Sequence, residues 1–160
     1  MKTRAIRSLA LASVVLVGLT ITVVVAQGMS EGPPDYRDWT RLNPQPNWIE
    51  SAHPTVKDVF VNEVGADAAL TRSFPFPEGS ELTKASLNED LSVFVVTAMR
   101  KVAGFDPDNG DWEYGMFERM DDGSWGGMWA EVGSDMHMMC VSCHTGAADN
   151  DFVFLTYTGD

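Results

Sequence analysis

The sequence predicts an α+β fold, an antiparallel β-sheet with a few packed helices, the last of which carries a cysteine-histidine motif. Four or five short runs rich in β-branched and aromatic residues are separated by turn residues, which is typical of antiparallel strands. Near the C-terminus, apolar residues and cysteines recur at helical spacing, which predicts a helix there. These residues are Trp129, Val132, Met136, Cys140 and Cys143.

The beginning of the chain has the pattern of an export signal. Basic residues precede an apolar or small stretch at residues 8–26, and a small-residue cleavage pattern comes before Gln27. The stretch is also just long enough to span a bilayer, so an uncleaved anchor is the alternative. We therefore expect residues 1–26 to be a signal peptide or N-terminal anchor, and residues 27–160 to be one periplasmic or otherwise exported domain.

The first part of this domain is predicted to begin irregularly. Residues 36–42 are predicted to form a short helix. The apolar run Val56–Val61 then predicts a strand, and the sequence PFPEG at residues 75–79 predicts a turn.

A helix is predicted between that strand and that turn. Asn62 is a suitable N-cap for a helix over residues 63–72. The apolar residues of this segment, Val64, Ala68 and Ala69, are expected to face inward.

Two further strands follow the turn. In the first, over residues 80–86, strict alternation places Leu82 and Lys84 on one face of the sheet. The second, over residues 91–99, is the most apolar run of the domain, and we expect it to be covered on both faces.

The remaining segments alternate turns with strands. Residues 106–110 are predicted to form a turn and residues 112–118 a strand. Gly126 and Gly127 predict a glycine-rich turn before the C-terminal helix. An apolar run predicts a closing strand over residues 152–157.

Composition argues against two classes of partner. The chain contains 11 basic and 23 acidic residues, and none of the acidic residues lies in residues 1–26. A domain this acidic argues against nucleic acid and against anionic membrane surfaces as partners. It suits a small neutral or cationic substrate and a basic electron-transfer partner, although the acidity can equally serve solubility alone.

The chain has two cysteines, and both lie in the run CVSCH at residues 140–144. A Cys-x-x-Cys-His run is the attachment signature of c-type haem, in which both thiols form thioethers to the porphyrin and the histidine ligates the iron. On a helix, Cys140, Cys143 and His144 project from one face, as this chemistry needs. A disulfide or a thioredoxin-like redox pair is the alternative, and it leaves the adjacent histidine unexplained.

The position of the motif narrows the class of haem protein. Small electron-transfer cytochromes of the commonest class carry the motif near the N-terminus and use a downstream methionine as a ligand, but no methionine follows His144. Four-helix cytochromes c-prime carry it at the C-terminus but are helical throughout. A C-terminal motif in a β-rich chain fits neither class, and it indicates an iron with one protein ligand and one open position.

This combination resembles the cytochrome P-460 family and its relative cytochrome c-prime-beta. Besides the haem motif, short elements match the family in order along most of the domain. They are DYRDW at residues 35–39, VKDVFVN at 56–62, PFPEGS at 75–80, GDW at 110–112 and DFVF at 151–154. The resemblance implies a homodimer of antiparallel sheets with a few packed helices, and one covalent haem c. It also implies a small nitrogenous molecule or gas as the partner of the iron.

The resemblance further implies a role for Lys84. Members of the P-460 branch carry a lysine in this strand whose amine is covalently linked to the haem edge, and Lys84 occupies that position after Glu78 and Gly79. A buried ammonium is unfavourable, so an inward lysine needs a partner. The alternative is an ordinary surface lysine on a short strand.

Two departures from the family weaken an enzymatic interpretation. The distal carboxylate that accepts protons in hydroxylamine-oxidising members aligns at or near Val96, and a distal arginine aligns with Lys57. Asp58, Glu113 and Glu118 are alternative proton acceptors. An apolar, aromatic-capped distal side would instead resemble the gas-binding c-prime-beta branch. The candidate caps, each of which is equally a candidate for ordinary core packing, are Phe60, Phe74 and Phe76.

For the remaining histidines and methionines, packing is the simplest interpretation. His137 shares a helix face with His144, but two residues of one helix cannot bind opposite sides of one iron. His53 is expected to close a loop, whereas Met99 and Met116 are candidates for a sixth iron ligand. The methionines expected to pack around the haem are Met136, Met138 and Met139.

The sequence therefore predicts an exported mono-haem protein. Cys140 and Cys143 are the predicted thioether cysteines, His144 the proximal iron ligand and Lys84 a candidate cross-link to the haem. The expected activity is oxidation of hydroxylamine or nitric oxide chemistry, with electrons leaving to a soluble cytochrome. The alternative is a non-catalytic haem protein, either a gas binder or an electron carrier.

Overall fold

The computed structural model describes residues 32–48, 53 and 55–155. The predicted leader therefore lies outside the described residues. Within them the fold is α+β, as predicted, with one antiparallel sheet and two α-helices. None of the described helices is both long and apolar enough to cross a membrane.

Seven strands of the described chain form the sheet. They are β1 (Thr40–Arg41), β2 (Asn47–Trp48), β3 (Val56–Val61), β4 (Glu81–Leu87), β5 (Val93–Lys101), β6 (Trp112–Arg119) and β7 (Trp125–Trp129). The order across the sheet is β1-β3-β4-β5-β6-β7, and β2 also pairs with β3. Every pairing is antiparallel, so β3 to β7 are neighbours in the order in which they occur in the chain.

The four central strands confirm the predictions made from apolar runs and alternation. β3 has the predicted bounds, β4 and β5 begin slightly later than predicted, and β6 extends slightly further. β5 is covered on both faces, as expected, because the adjacent residues Val95 and Val96 point to opposite faces and both are buried.

The first helix, α1 (Glu63–Thr71), begins after Asn62 as predicted, and the Asn62 side chain accepts a hydrogen bond from the Gly65 amide at 3.0 Å. The two predicted alanines are buried. The prediction that Val64 faces inward is wrong, because its side chain is 48% exposed. Gly65 takes that inward position, where a Cβ would lie 2.9 Å from Val61, so the glycine lets α1 approach β3 closely.

The second helix, α2 (Asp135–His144), ends on the CVSCH motif, as predicted. Its first residue is set by Ser134, whose hydroxyl accepts a hydrogen bond from the His137 amide at 3.2 Å. The helix is therefore shorter than the apolar spacing predicted. Trp129 belongs to β7, and Val132 lies in the connecting loop with an exposed side chain.

Residues 36–42 do not form the predicted short helix. The Trp39 amide donates to the Tyr36 carbonyl in a turn, and the chain then continues into β1. The Leu42 amide donates to the Val59 carbonyl at 2.8 Å. Pairing with the edge of β3 provides hydrogen-bond partners for the backbone of this segment. This tertiary contact outweighs the local preference for a helix.

Gly126 and Gly127 are not the predicted turn. The turn lies at residues 121–124, and both glycines belong to β7. Gly127 has a φ of 144°, and a Cβ there would lie 2.1 Å from the Met116 carbonyl oxygen. In a sequence, a glycine that permits such a close backbone approach looks the same as a glycine that makes a turn.

The predicted closing strand is absent over its described part, residues 152–155. Phe152 has a φ of 64°, in the left-handed region, which is incompatible with a strand. Val153 and Leu155 are nevertheless buried. The apolar run that predicted a strand therefore belongs to an irregular segment that packs Val153 and Leu155 onto the core.

Different parts of the chain cover the two faces of the sheet. We call the face that carries Val59, Leu82 and Tyr114 the helical face, because it packs against α1, α2 and the C-terminal segment. The opposite face carries Val96 and packs under the N-terminal segment around Tyr36. Because alternation and register are regular, each residue of the central strands is assigned to one of these faces.

We expect Gly127→Ala to lower the free energy of unfolding by about 1–3 kcal/mol or more, since it adds both a strained φ and a backbone clash. Gly123→Ala is the matched control. Its φ is also positive, at 81°, but no atom lies within 4 Å of a Cβ there. Urea unfolding should show the larger loss for Gly127→Ala, and equal losses would contradict the close-approach explanation.

Candidate haem site

A cavity of about 260 Å³ lies between the helical face and α2. Strand side chains that project into it belong to the helical face, and most of its wall is apolar. From the sheet these are Leu82, Lys84, Val95, Thr97, Met99, Tyr114, Met116 and Glu118. From α2 they are Met136, Met139, Cys140, Cys143 and His144, and His53 and Val153 also line the cavity.

All three reactive side chains of the CVSCH motif line this cavity. Cys140, Cys143 and His144 line the wall together because they occupy adjacent positions on one face of α2. The two cysteines are not joined in a disulfide, and Cys143 is exposed at the cavity edge. The arrangement suits two thioether bonds and one metal bond on a single side of a flat macrocycle.

The His144 ring is fixed by one hydrogen bond. Its Nδ1 lies 2.7 Å from the Phe152 carbonyl oxygen, and a carbonyl can only accept, so Nδ1 carries the proton. Nε2 therefore has a lone pair, as a metal ligand needs. Burial lowers the pKa of His144 to about 4, against the opposing effect of the Phe152 bond and with a smaller effect of Lys84, so the ring is neutral at pH 7.

Tyr114 packs directly against His144 and presents a hydroxyl without a partner. The two ring centres are 4.9 Å apart, and Tyr114 is 3% exposed. Its hydroxyl makes no hydrogen bond within the described part of the chain. Burial raises the pKa of Tyr114 well above its ordinary value, so the hydroxyl keeps its proton. A buried donor of this kind is satisfied only if a bound group or an ordered water meets it.

Lys84 lies on the cavity wall, as strand alternation predicted. It pairs with Val59 and Thr97 across β3 and β5, both on the helical face. Burial, followed by repulsion from Lys57, lowers the pKa of Lys84 to about 8. The ammonium form still predominates at pH 7, but the neutral amine, which is a nucleophile, is more populated than in an ordinary lysine.

Lys57 is on the same face but does not line the cavity. It is 1% exposed, and its Nζ donates to the Thr55 carbonyl at 2.7 Å. Burial also lowers the pKa of Lys57. Its contribution to the cavity is thus a nearby charge and not a direct contact.

Of the carboxylates considered from the sequence, Glu118 is the one that lines the cavity. Asp58 and Glu113 are on the opposite face, where they pair with Arg41 and Arg100. Val96 is also on the opposite face, packed with Tyr36 and Ala85. The apolar residue at Val96 therefore does not decide whether the cavity contains a proton acceptor, and Glu118 supplies a carboxylate at its exposed edge.

The predicted aromatic caps do not line the cavity. Phe60 packs against Tyr36 on the opposite face, and Phe74 and Phe76 pack near Trp112 in the core. The ordinary packing interpretation therefore describes these phenylalanines better than a role as caps over a bound group.

Of the remaining histidines and methionines considered from the sequence, some line the cavity and others do not. His137 is 2% exposed, lies 3.1 Å from an Asp106 oxygen and is not on the cavity wall, in agreement with a core role. Both candidate strand methionines, Met99 and Met116, do line the cavity. Met138 does not, and it is 55% exposed.

His53 is the residue whose position the sequence did not predict. It lines the cavity, and its ring centre lies 6.4 Å from that of His144. Burial first, and then the charges of Lys84, His144 and Lys57, lower the pKa of His53 to about 3. No local signal marks this role, because His53 and His144 are far apart in the sequence and only the tertiary structure brings their rings together.

These side chains fit a haem. Most of the cavity wall is apolar, and the two thiols and His144 are on one helix face. The buried Tyr114 hydroxyl makes no hydrogen bond within the described residues. Within the described residues, no group of three or more histidine, cysteine, aspartate and glutamate side chains could hold a metal ion without a porphyrin.

We expect Tyr114→Phe to affect the haem-free and haem-loaded proteins differently. In the haem-free protein it removes a buried hydroxyl without a partner, so the free energy of unfolding should be unchanged or higher by about 1 kcal/mol. If bound haem supplies a partner for the hydroxyl, the same change should be destabilising in the haem-loaded protein. Urea unfolding of both forms tests this, and equal effects would contradict a partner supplied by the haem.

The chain matches a known protein family. A search of curated proteins gave no match to the chain. Residues 33–155 match the protein-family model described as Cytochrome P460, which covers most of the chain. The chain therefore belongs to the cytochrome P-460 family.

Proposed function

We propose that this protein is an exported c-type cytochrome with one covalent haem, bound through Cys140 and Cys143, and with His144 as the single protein ligand of the iron. The observation that carries the proposal is the His144 hydrogen bond to Phe152. It leaves a neutral Nε2 lone pair on the ring, in a cavity that also holds both thiols. Family membership supports a haem c cytochrome independently.

The substrate we propose is hydroxylamine or a related small nitrogenous molecule, including nitric oxide. When bound, haem supplies an iron whose open coordination position takes such a molecule and accepts its electrons. The residues around it have separate roles. Tyr114 packs against His144 and holds the ring in place, the apolar wall excludes water, and a Glu118 oxygen accepts a proton at the cavity edge.

Lys84 is proposed to be linked covalently to the haem edge. The new C–N bond would replace one hydrogen of the amine and one of a haem-edge carbon, so the step would release two protons and two electrons, and we propose that a peroxide takes up the electrons. Its amine is on the cavity wall, and burial lowers its pKa to about 8, which makes the neutral, nucleophilic form more accessible than in an exposed lysine. The link would also remove the unfavourable burial of an ammonium beside Lys57.

The electrons are proposed to pass to a soluble cytochrome. The domain is strongly acidic, which favours a partner with a basic surface and makes their association sensitive to salt. A homodimer and a periplasmic location, with residues 1–26 as leader or anchor, are part of the same proposal.

A second candidate is a non-catalytic electron carrier in which His53 is the sixth ligand. If haem were bound in the cavity, His53 and His144 would be the two imidazoles that hold its iron, and the iron would then serve only to carry electrons. The His53 and His144 rings are 6.4 Å apart and share one cavity, which favours this candidate. The ferric electron paramagnetic resonance spectrum separates the two, since a low-spin signal that becomes high-spin in His53→Ala would replace the open-site proposal.

We expect Lys84→Ala to change the ferrous absorption spectrum and the intact mass of the haem-loaded protein. Loss of the link alters the conjugation of the macrocycle and the number of hydrogens lost on attachment. Wild-type protein should keep its haem under denaturing conditions and show the mass of two thioethers plus the lysine bond. Lys84→Arg is the control, because it keeps the charge and the length but provides no nucleophilic amine. An unchanged spectrum in both variants would show that Lys84 is not linked.

Hydroxylamine-dependent reduction of an artificial electron acceptor tests the activity. The haem-loaded wild-type protein should catalyse it, and Glu118→Gln should lower kcat by about 100-fold or more if this carboxylate accepts the proton. Glu89→Gln is the matched control, since Glu89 is exposed in a turn and does not line the cavity.

The outcomes of this assay separate the site from the activity. A Glu118→Gln variant as active as the wild type would exclude the carboxylate while keeping the enzyme. No turnover by fully loaded wild-type protein would exclude the enzyme and favour gas binding or electron transfer.

A further inference from the structure

We propose that Asp151 is a positioning residue that controls how strongly His144 donates to the haem iron, by holding the Phe152 carbonyl against the His144 ring. The inference rests on the proposed function only in that His144 is the iron ligand. It assigns a role to a residue outside the cavity wall.

The backbone after α2 adopts an unfavourable conformation. A 3₁₀ segment, Thr145–Asn150, follows the helix, and the next two residues, Asp151 and Phe152, have φ values of 54° and 64°. Both φ values lie in the left-handed region, which aspartate adopts occasionally but a bulky side chain such as that of Phe152 adopts rarely. This double turn places the Phe152 carbonyl oxygen 2.7 Å from His144 Nδ1. Strain of this kind persists only where the surroundings impose it.

Asp151 is held in place by two hydrogen bonds and one ion pair. Its carboxylate accepts a hydrogen bond from the Phe76 amide at 2.7 Å and forms an ion pair with Lys101. Its carbonyl accepts a hydrogen bond from the Trp112 indole at 2.8 Å, and the Trp112 side chain is completely buried. The Asp151 and Lys101 side chains are themselves only 9% and 13% exposed.

These contacts come from three separate parts of the fold. They are the turn before β4, the end of β5 and the start of β6, so Asp151 ties the residue after it to the rigid part of the sheet. Gly110 packs against both Asp151 and Phe152. A Cβ there would lie 2.7 Å from the Phe152 ring and 3.1 Å from Asp151 Oδ1, so this position has no room for a side chain.

The chemical consequence concerns the basicity of the ligand. A hydrogen bond from Nδ1 to a well-placed acceptor raises the electron density that the imidazole gives to a metal, and such bonds tune both affinity and potential. The contacts that fix the position of the Phe152 carbonyl therefore also influence the strength of the iron–histidine bond. Weakening these contacts should weaken that bond and favour ferrous over ferric iron.

The test uses full-length, haem-loaded protein and two readouts other than activity. These are the iron–histidine stretching band of the ferrous protein by resonance Raman spectroscopy and the midpoint potential. Asp151→Asn keeps the size of the side chain and removes the charge that pairs with Lys101. We expect a stretching band at lower frequency and a higher midpoint potential. Asp149→Asn is the control, because it makes the same charge change at an exposed position of the preceding 3₁₀ segment and should leave both readouts unchanged.

A second variant perturbs the same site without changing any charge. Gly110→Ala keeps every charge and displaces the Phe152 ring, and it should shift both readouts in the same direction as Asp151→Asn. Unchanged readouts in a haem-loaded Asp151→Asn protein, or equal shifts in Asp149→Asn, would overturn the role of Asp151 alone. A wild-type protein without an iron–histidine band would overturn the proposed ligand as well.

Discussion

The hydrogen bond between His144 Nδ1 and the Phe152 carbonyl is the interaction on which the site depends. It sets the tautomer of the ring, and through the tautomer it decides which nitrogen can bind a metal. The bond exists because the chain turns sharply after α2 and is held there by contacts from the sheet. The orientation and the tautomer of His144 therefore depend on the segment that follows the motif.

The electrostatics of the cavity are opposite to those of the protein as a whole. The chain is strongly acidic, yet the groups gathered near the cavity are mostly basic: His53, Lys57, Lys84 and His144. Burial lowers the pKa of each, because a charged imidazole or ammonium loses its hydration there. The two imidazoles are therefore neutral at pH 7, and the two lysines lose their protons more readily than exposed lysines do. Neutral nitrogen donors are chemically suited to bind a metal or to form a covalent bond.

Much of the fold could be predicted from local patterns, and the failures have a common cause. The central strands, the Asn62 cap and the position of the haem motif on a helix follow from alternation, apolar runs and capping residues. The predictions at Gly127 and at residues 152–155 failed because a long-range contact looks like a local signal, and the prediction at Val64 failed because Gly65 takes the inward position. Gly127 approaches the backbone of β6, and Phe152 adopts a left-handed conformation because the sheet holds its neighbour Asp151.

The sequence by itself determined which chemical groups are available: two thiols and a histidine at helical spacing, and a lysine on one face of a strand. Such spacing is a local property of the backbone and can be read without the fold. Only the tertiary structure decided which groups share the cavity. It placed Glu118 and His53 at the wall and Val96 on the far side, because strand register and loop packing join residues that are distant in the chain.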